Sequence, residues 1–146
     1  MRTGVRIGVD VGDVRVGIAR SDATGTLAVP LQVLRRGELT GLVSLVREYE
    51  ALEVLVGLPL TLAGAEGQAA AKARAFATGL QPLIRPIPIR LVDERLSTVT
   101  ALRGMRANGT SAAKGRQRVD AAAAAVIVQT ALDAERTTGE PPGIPL

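Results

Sequence analysis

The order of strand-like and helix-like patterns restricts the fold of this chain more than any other feature of its sequence. Arg6–Val11 and Arg15–Ala19 alternate as strands do, and the Gly12-Asp13 turn between them predicts a β-hairpin. A third strand is expected at Leu27–Leu34, where Pro30 suits an edge position. The chain is therefore expected to begin with a three-stranded antiparallel meander.

The rest of the chain alternates between helix-like segments and continuously apolar ones. The apolar segments Glu53–Leu60 and Ile87–Glu94 are typical of strands that are buried on both faces, as in parallel sheets. The other expected elements are helices at about 38–51, 66–79, 97–108 and 117–135, with an exposed loop at 109–118.

A meander followed by β–α crossovers predicts an α/β fold, with helices on both faces of a mixed sheet. The chain has 146 residues, the size of one domain, expected at 1–136. Residues 137–146 are rich in proline and glycine and are expected to be a loose tail. No apolar run is long enough to cross a bilayer, and the first residues do not form a signal peptide. A cytoplasmic protein without membrane contact is expected.

The composition excludes several kinds of active site. The chain contains no cysteine and no histidine, which excludes disulfides, zinc–thiolate sites, histidine bases and Ser–His–Asp triads. Tyr49 and Phe76 are the only aromatic residues among its tyrosines, phenylalanines and tryptophans. A base-stacking platform is therefore not expected. A polar active site would have to use carboxylates, hydroxyls, Lys and Arg, together with a metal.

Three acidic residues occupy positions where the local pattern favours an apolar or neutral residue. Asp10 lies at the end of the first strand, Glu94 ends the last strand with Asp93 beside it, and Asp120 opens an alanine-rich helix. Because successive strand residues face opposite sides, only one of Asp93 and Glu94 can share a side with Asp10, and we favour Glu94. Three converging carboxylates predict a site for Mg²⁺ or Mn²⁺, which prefer oxygen ligands and can activate water for phosphodiester cleavage.

Each acidic residue also has a structural interpretation. Asp10 could accept backbone N–H bonds in its own turn. Asp120 could be favoured by the dipole at the start of its helix. Asp93 and Glu94 could form surface ion pairs with Arg90 or Arg95.

The basic residues suggest a phosphate-rich partner. The chain carries 18 basic and 14 acidic residues, a net charge of +4, and such an excess suits nucleic acid. A cluster of basic residues lies before Asp120, where it could bind a nucleic-acid backbone without sequence preference. Its members are Arg103, Arg106, Lys114, Arg116 and Arg118.

Four segments together resemble the YqgF/RuvX family of Holliday-junction-resolvase-like nucleases. They are "GVDVGDVRVGIARSD", "VGLPLTLAGAEGQAA", "LVDERLST" and "KGRQRVDAAAAAVIVQTALD". The resemblance implies an RNase H-like fold with a five-stranded sheet, three strands antiparallel and then two parallel. It also implies a role in processing the 5′ end of pre-16S rRNA, or nuclease action on branched or single-stranded nucleic acid.

Position by position, the resemblance places the acidic catalytic and metal-binding residues of the family on Asp10, Glu94 and Asp120. Arg15 is retained near the hairpin turn, whereas Val14 replaces the Lys that the family usually has there. Ala123 and Ala124 stand where related resolvases carry a fourth carboxylate, so one or two metals remain open.

Other functions stay open at this point. The hairpin also resembles the phosphate-binding hairpin of actin-like ATPases, but those enzymes need two such domains. A non-catalytic RNA-binding ribosome-assembly factor would use the same basic cluster. Cutting a four-way DNA junction symmetrically would need a homodimer, and the sequence is compatible with a monomer or a homodimer.

Overall fold

The computed structural model describes residues 1–95 and 113–146, with side chains for 1–95 and 119–146. One mixed β-sheet has the strand order β3-β2-β1-β4-β5-β6. The strands are β1 (Arg6–Val11), β2 (Arg15–Ser21), β3 (Ala28–Arg35), β4 (Glu53–Leu58), β5 (Ile89–Asp93) and β6 (Ile144–Pro145), and the helices in the described residues are α1 (Leu39–Glu48), α2 (Gln68–Ile84) and α3 (Ala113–Thr138).

The topology confirms the expected mixed sheet. Strands β1, β2 and β3 form an antiparallel meander, and β4 and β5 add parallel strands on the other side of β1. The edge position of β3 accommodates Pro30, which lies where the β2–β3 register shifts. The meander thus occupies one half of the sheet and the parallel strands the other.

The sheet has six strands rather than the five that the resemblance implied. The additional strand, β6, comes from the chain end, where no regular structure was expected. It pairs antiparallel with β5 through Arg90 and Leu91. Arg90 further holds this segment because its guanidinium donates to the carbonyl oxygens of Pro142 and Gly143. Pairing along the open edge of β5 thus orders a proline-rich segment.

Two helices extend beyond their expected ends. Helix α2 continues past Gly79 to Ile84, because Leu80 and Ile84 prolong its buried apolar face. Helix α3 begins at Ala113 instead of about 117, so the loop expected at 109–118 is wrong for 113–118. Alanine, lysine, arginine and glutamine all favour helix, and they outweigh the single Gly115. The helix expected at about 97–108 lies outside the described residues.

The helices cover the two faces of the sheet and create two different cores. Helices α1 and α2 pack against one face, where Ile7, Val9 and Val56 contribute to a large aliphatic core. Helix α3 packs across β1 to β4 on the other face, with Leu55 and Ala123 among the contacts. Among the described helices, none combines the length and hydrophobicity needed to cross a membrane.

A buried ionic network joins the start of β1 to the end of α3. Arg6, only 1% exposed, donates from its guanidinium to Glu135 at 2.9 Å. Arg2 bridges the same carboxylate and that of Glu53, at 2.6 and 2.8 Å. The two arginines and the two glutamates neutralise one another, and the network joins the C-terminal end of α3 to the sheet.

Candidate active site

The face of the sheet beneath α3 carries small residues, and these allow the helix to approach closely. In β1, Ile7 and Val9 face the α1–α2 core, so Gly8 and Asp10 face α3 by alternation. A Cβ atom on Gly8 would lie 2.1 Å from Cγ2 of Val128 in α3. The alanine-rich helix and the glycines thus form a thin interface.

Gly17 in β2 brings α3 against the strand beside Asp10. Gly17 is the antiparallel register partner of Asp10. A Cβ atom at Gly17 would lie 2.0 Å from the carbonyl oxygen of Asp120, so the α3 backbone rests directly on this glycine. The register therefore places Asp120 beside Asp10 on the side of β2.

Gly57 in β4 performs the corresponding role for Glu94. Val56 is the parallel register partner of Val9, so the next residue, Gly57, lies alongside Asp10. A Cβ atom at Gly57 would lie 2.0 Å from Oε1 of Glu94. The Glu94 carboxylate consequently rests over β4, on the other side of Asp10.

Three buried carboxylate residues thus lie in a row across the sheet. Asp10, Glu94 and Asp120 are 1%, 3% and 2% exposed, although ionised carboxylates are rarely buried without compensation. Adjacent strands are about 4.8 Å apart, so Glu94 and Asp120 are each displaced from Asp10 by roughly one strand spacing. Helix α3 begins about two turns before Asp120, and the expected place of Asp120 at a helix start is wrong.

Arg15 supplies one compensating charge at this row. Its Nε donates to Oδ2 of Asp120 at 3.0 Å, and the Arg15 side chain is 28% exposed. Arg15 and Asp120 line an open cleft of about 300 Å³ together with the turn residues 12–14. The cleft gives solvent, and any ligand, access to the end of the carboxylate row.

Asp93 has a different environment from Glu94. Its carboxylate accepts from the Arg95 guanidinium at 2.8 Å, and its side chain is 41% exposed. This hydrogen bond from Arg95 outweighs desolvation and lowers the pKa of Asp93. The surface pair expected with Arg95 therefore forms at Asp93, while Glu94 points to the buried side.

The donor chemistry of the row suits a hard divalent cation. Carboxylate oxygens from Asp10, Glu94 and Asp120 are ligands that Mg²⁺ and Mn²⁺ accept, and the glycines at 17 and 57 let α3 and the Glu94 carboxylate lie close to the sheet. In the described part of the chain, no three acidic side chains lie close enough together to hold a metal ion as they stand. The residues fit such an ion by type, burial and side of the sheet.

The structure places only part of the expected basic cluster. The backbone of Lys114, Arg116 and Arg118 lies in the first turns of α3, N-terminal to Asp120. Arg103 and Arg106 fall outside the described residues. The part that is placed is helical instead of lying in a loop.

Sequence reasoning missed the roles of Gly17 and Gly57. A signal was present, since both glycines interrupt apolar strands at positions that alternate onto the same face as Asp10. Recognising their role requires the strand register, which pairs Gly17 with Asp10 and places Gly57 alongside Asp10.

A family model and two curated relatives match most of the chain. A family model described as "RuvX: Holliday junction resolvase" matches residues 4–134. A "Putative pre-16S rRNA nuclease" of Streptomyces coelicolor is 50% identical over 147 residues, covering 98% of this chain and 88% of the relative. A protein of the same description from Thermobifida fusca is 51% identical over 152 residues, covering 98% and 96%.

Solved structures share the fold at low sequence identity. Thermus thermophilus RuvC in complex with a Holliday junction substrate has a TM-score of 0.57 at 15% identity, covering 98% of this chain and 99% of that one. The fold is thus RNase H-like, as the sequence motifs implied. Given the family match over most of its length and relatives at about half identity, the chain belongs to the RuvX family of Holliday junction resolvase-like nucleases.

Proposed function

We propose that this protein is a divalent-metal-dependent nuclease that hydrolyses phosphodiester bonds during 5′-end processing of pre-16S rRNA. The observation that carries the proposal is the row of buried carboxylates at Asp10, Glu94 and Asp120, beside a cleft open to solvent. The printed names of the relatives support rRNA as the substrate.

The buried position of the row favours catalysis over simple RNA binding. Carboxylates repel a phosphate backbone, so a protein that only binds RNA gains nothing from three of them at its cleft. Mg²⁺ or Mn²⁺ held by Asp10, Glu94 and Asp120 would activate water and neutralise charge at the scissile phosphate. The carboxylates then have a chemical reason for their burial.

The residues around the row would orient the substrate. Gly17 and Gly57 keep α3 and Glu94 close to the sheet, which positions the carboxylates relative to one another. Arg15 holds the Asp120 carboxylate and can offer its remaining guanidinium N–H groups to a phosphate at the mouth of the cleft. Lys114, Arg116, Arg118, Arg103 and Arg106 complete the proposed substrate-binding set.

The test is cleavage of end-labelled RNA that carries a 16S-like 5′ leader, with Mn²⁺ or Mg²⁺ present. Asp10→Asn and EDTA should each abolish cleavage. Asp133→Asn is the matched control, because Asp133 is an exposed residue of α3 whose carboxylate forms an ion pair with Arg136 and accepts a hydrogen bond from Gln129. It should cleave at the rate of the unaltered protein. Isothermal titration of Mn²⁺ should show weaker binding to Asp10→Asn than to Asp133→Asn.

A four-way DNA junction is the second candidate substrate. The family description and the likeness to a RuvC–junction complex favour it. Paired symmetric cuts in a junction, together with a dimer in sedimentation, would indicate that the protein acts on DNA junctions in recombination. Junctions left intact while the RNA leader is trimmed would keep the rRNA assignment.

A non-catalytic RNA-binding role gives a third pattern of results. Tight, salt-sensitive RNA binding without cleavage by any variant would mean that the carboxylates are structural. Cleavage that survives both EDTA and Asp10→Asn would equally refute the proposed metal site.

A further inference from the structure

A second arginine lies directly beside Arg15 on the neighbouring strand. Arg35, the last residue of β3, is the register partner of Arg15 in β2. Residues at such positions have their Cβ atoms about 5 Å apart, and two like charges there are unfavourable unless something neutralises them. Arg15 has Asp120 as its partner. Arg35 is exposed, and its guanidinium has no hydrogen-bond or ion-pair partner within residues 1–95 and 113–146.

A groove of about 750 Å³ runs from this arginine pair onto the α1–α2 side of the molecule. We call it the hairpin groove; its walls are the turn at 13–14, the β3–α1 connection at 35–39 and the side of α2 at 75–79. Asp13 and Val14 line both the hairpin groove and the cleft beside Asp120. The two depressions therefore adjoin at the tip of the hairpin, where Val14 is 72% exposed.

The acidic residue at the centre of this path already has a cationic partner. Asp13 forms an ion pair with Lys72 of α2. Among the described residues, the Arg36 guanidinium donates only to the Asp13 carbonyl oxygen, at a long 3.4 Å. Glu38 also lines the groove but forms no cap hydrogen bond with α1. The guanidinium groups of Arg35 and Arg36 thus remain the strongest unsatisfied donors along the path.

We propose that the hairpin groove binds the flank of a single-stranded RNA whose scissile phosphate lies at the carboxylate row, with Arg35 and Arg36 contacting backbone phosphates. The proposal rests on the nuclease function proposed above and names the route of its substrate. Guanidinium groups bind phosphate oxygens in pairs of hydrogen bonds, and an open groove with few aromatic groups suits contact to a backbone rather than to bases.

The expected effect follows from counterion release. For single-stranded nucleic acid, each neutralised phosphate contributes about 0.7 to the slope of log affinity against log salt. At 0.1 M salt, one contact then corresponds to about fivefold in affinity, and two contacts to about 25-fold.

The experiment compares two double variants that remove the same charge. Arg35→Gln/Arg36→Gln alters the groove, whereas Arg47→Gln/Arg85→Gln alters two exposed arginines that line a separate depression between α1 and the end of α2. Anisotropy of a labelled 20-nucleotide RNA is measured in EDTA at several salt concentrations, and circular dichroism checks that both variants fold.

The groove variant should bind about 25-fold more weakly at 0.1 M salt, with a slope smaller by about 1.4. The control variant should stay within about threefold of the unaltered protein, since only general charge is lost. Equal losses of RNA affinity in both variants would refute the hairpin groove as the RNA-binding surface, while leaving the proposed nuclease function intact. Failure of the unaltered protein to bind or cleave RNA would overturn both proposals.

Discussion

Replacing Gly17 by alanine tests the close contact between α3 and the sheet. The new Cβ would lie 2.0 Å from the carbonyl oxygen and 2.4 Å from the carbonyl carbon of Asp120, where ordinary contacts begin near 3.4 Å. Helix and strand must therefore separate by about 1.4 Å, because the obstacle is helix backbone and not a flexible side chain. Overpacking of this kind costs about 3 kcal/mol at its upper range, and the lower entropy of the unfolded alanine chain offsets up to about 1 kcal/mol.

The net expectation is a free energy of unfolding lowered by about 2 kcal/mol, a factor of about 30 in the folding equilibrium. Urea unfolding followed by circular dichroism measures it, since the chain has no tryptophan for fluorescence. Gly79→Ala is the matched control: its Cβ meets nothing within 4 Å inside α2, so it should stabilise by about 0.5–1 kcal/mol. A Gly17→Ala protein as stable as the unaltered one would refute the close approach.

Four further substitutions test the site and the ionic network. Gly57→Ala places its Cβ 2.0 Å from Oε1 of Glu94; displacing that flexible carboxylate should cost only about 1 kcal/mol of stability but slow RNA cleavage about 100-fold in a gel assay. Glu94→Gln should reduce cleavage at least as much, whereas Asp93→Asn should leave the rate within about twofold, because an exposed ion pair contributes little; similar losses in both would contradict the choice of Glu94. Glu135→Gln should destabilise by about 3 kcal/mol at pH 7, because it leaves Arg6 buried without its counter-charge. Burial by itself would raise the pKa of Glu135, but hydrogen bonds and charge from the neighbouring arginines outweigh it and lower the pKa below 4.5. This stability is therefore fully present above about pH 4.5 and is lost as the pH falls through the lower folded pKa, so the urea midpoints of the two proteins should converge as the pH is lowered below about 4.5.

Local pattern was enough to predict most of the strands. Period-two alternation around the Gly12-Asp13 turn marks the hairpin, and the continuous apolar character of β4 marks a strand buried on both faces. Prediction failed where pairing or packing decides. The segment 144–145 becomes a strand only because the edge of β5 is available, and α3 starts at Ala113 although Gly115 weakens the helical pattern.

The sequence by itself determined the chemistry available to this protein. The chain has no histidine or cysteine, and it has acidic residues in apolar surroundings at Asp10, Glu94 and Asp120. The sequence therefore favoured a metal site with oxygen ligands on an α/β sheet. Only the tertiary structure decided which groups are neighbours. Register sets Gly17 and Gly57 on either side of Asp10, and it sets Arg35 beside Arg15. Such pairings join residues far apart in the chain, and no local pattern of propensity or periodicity carries that information.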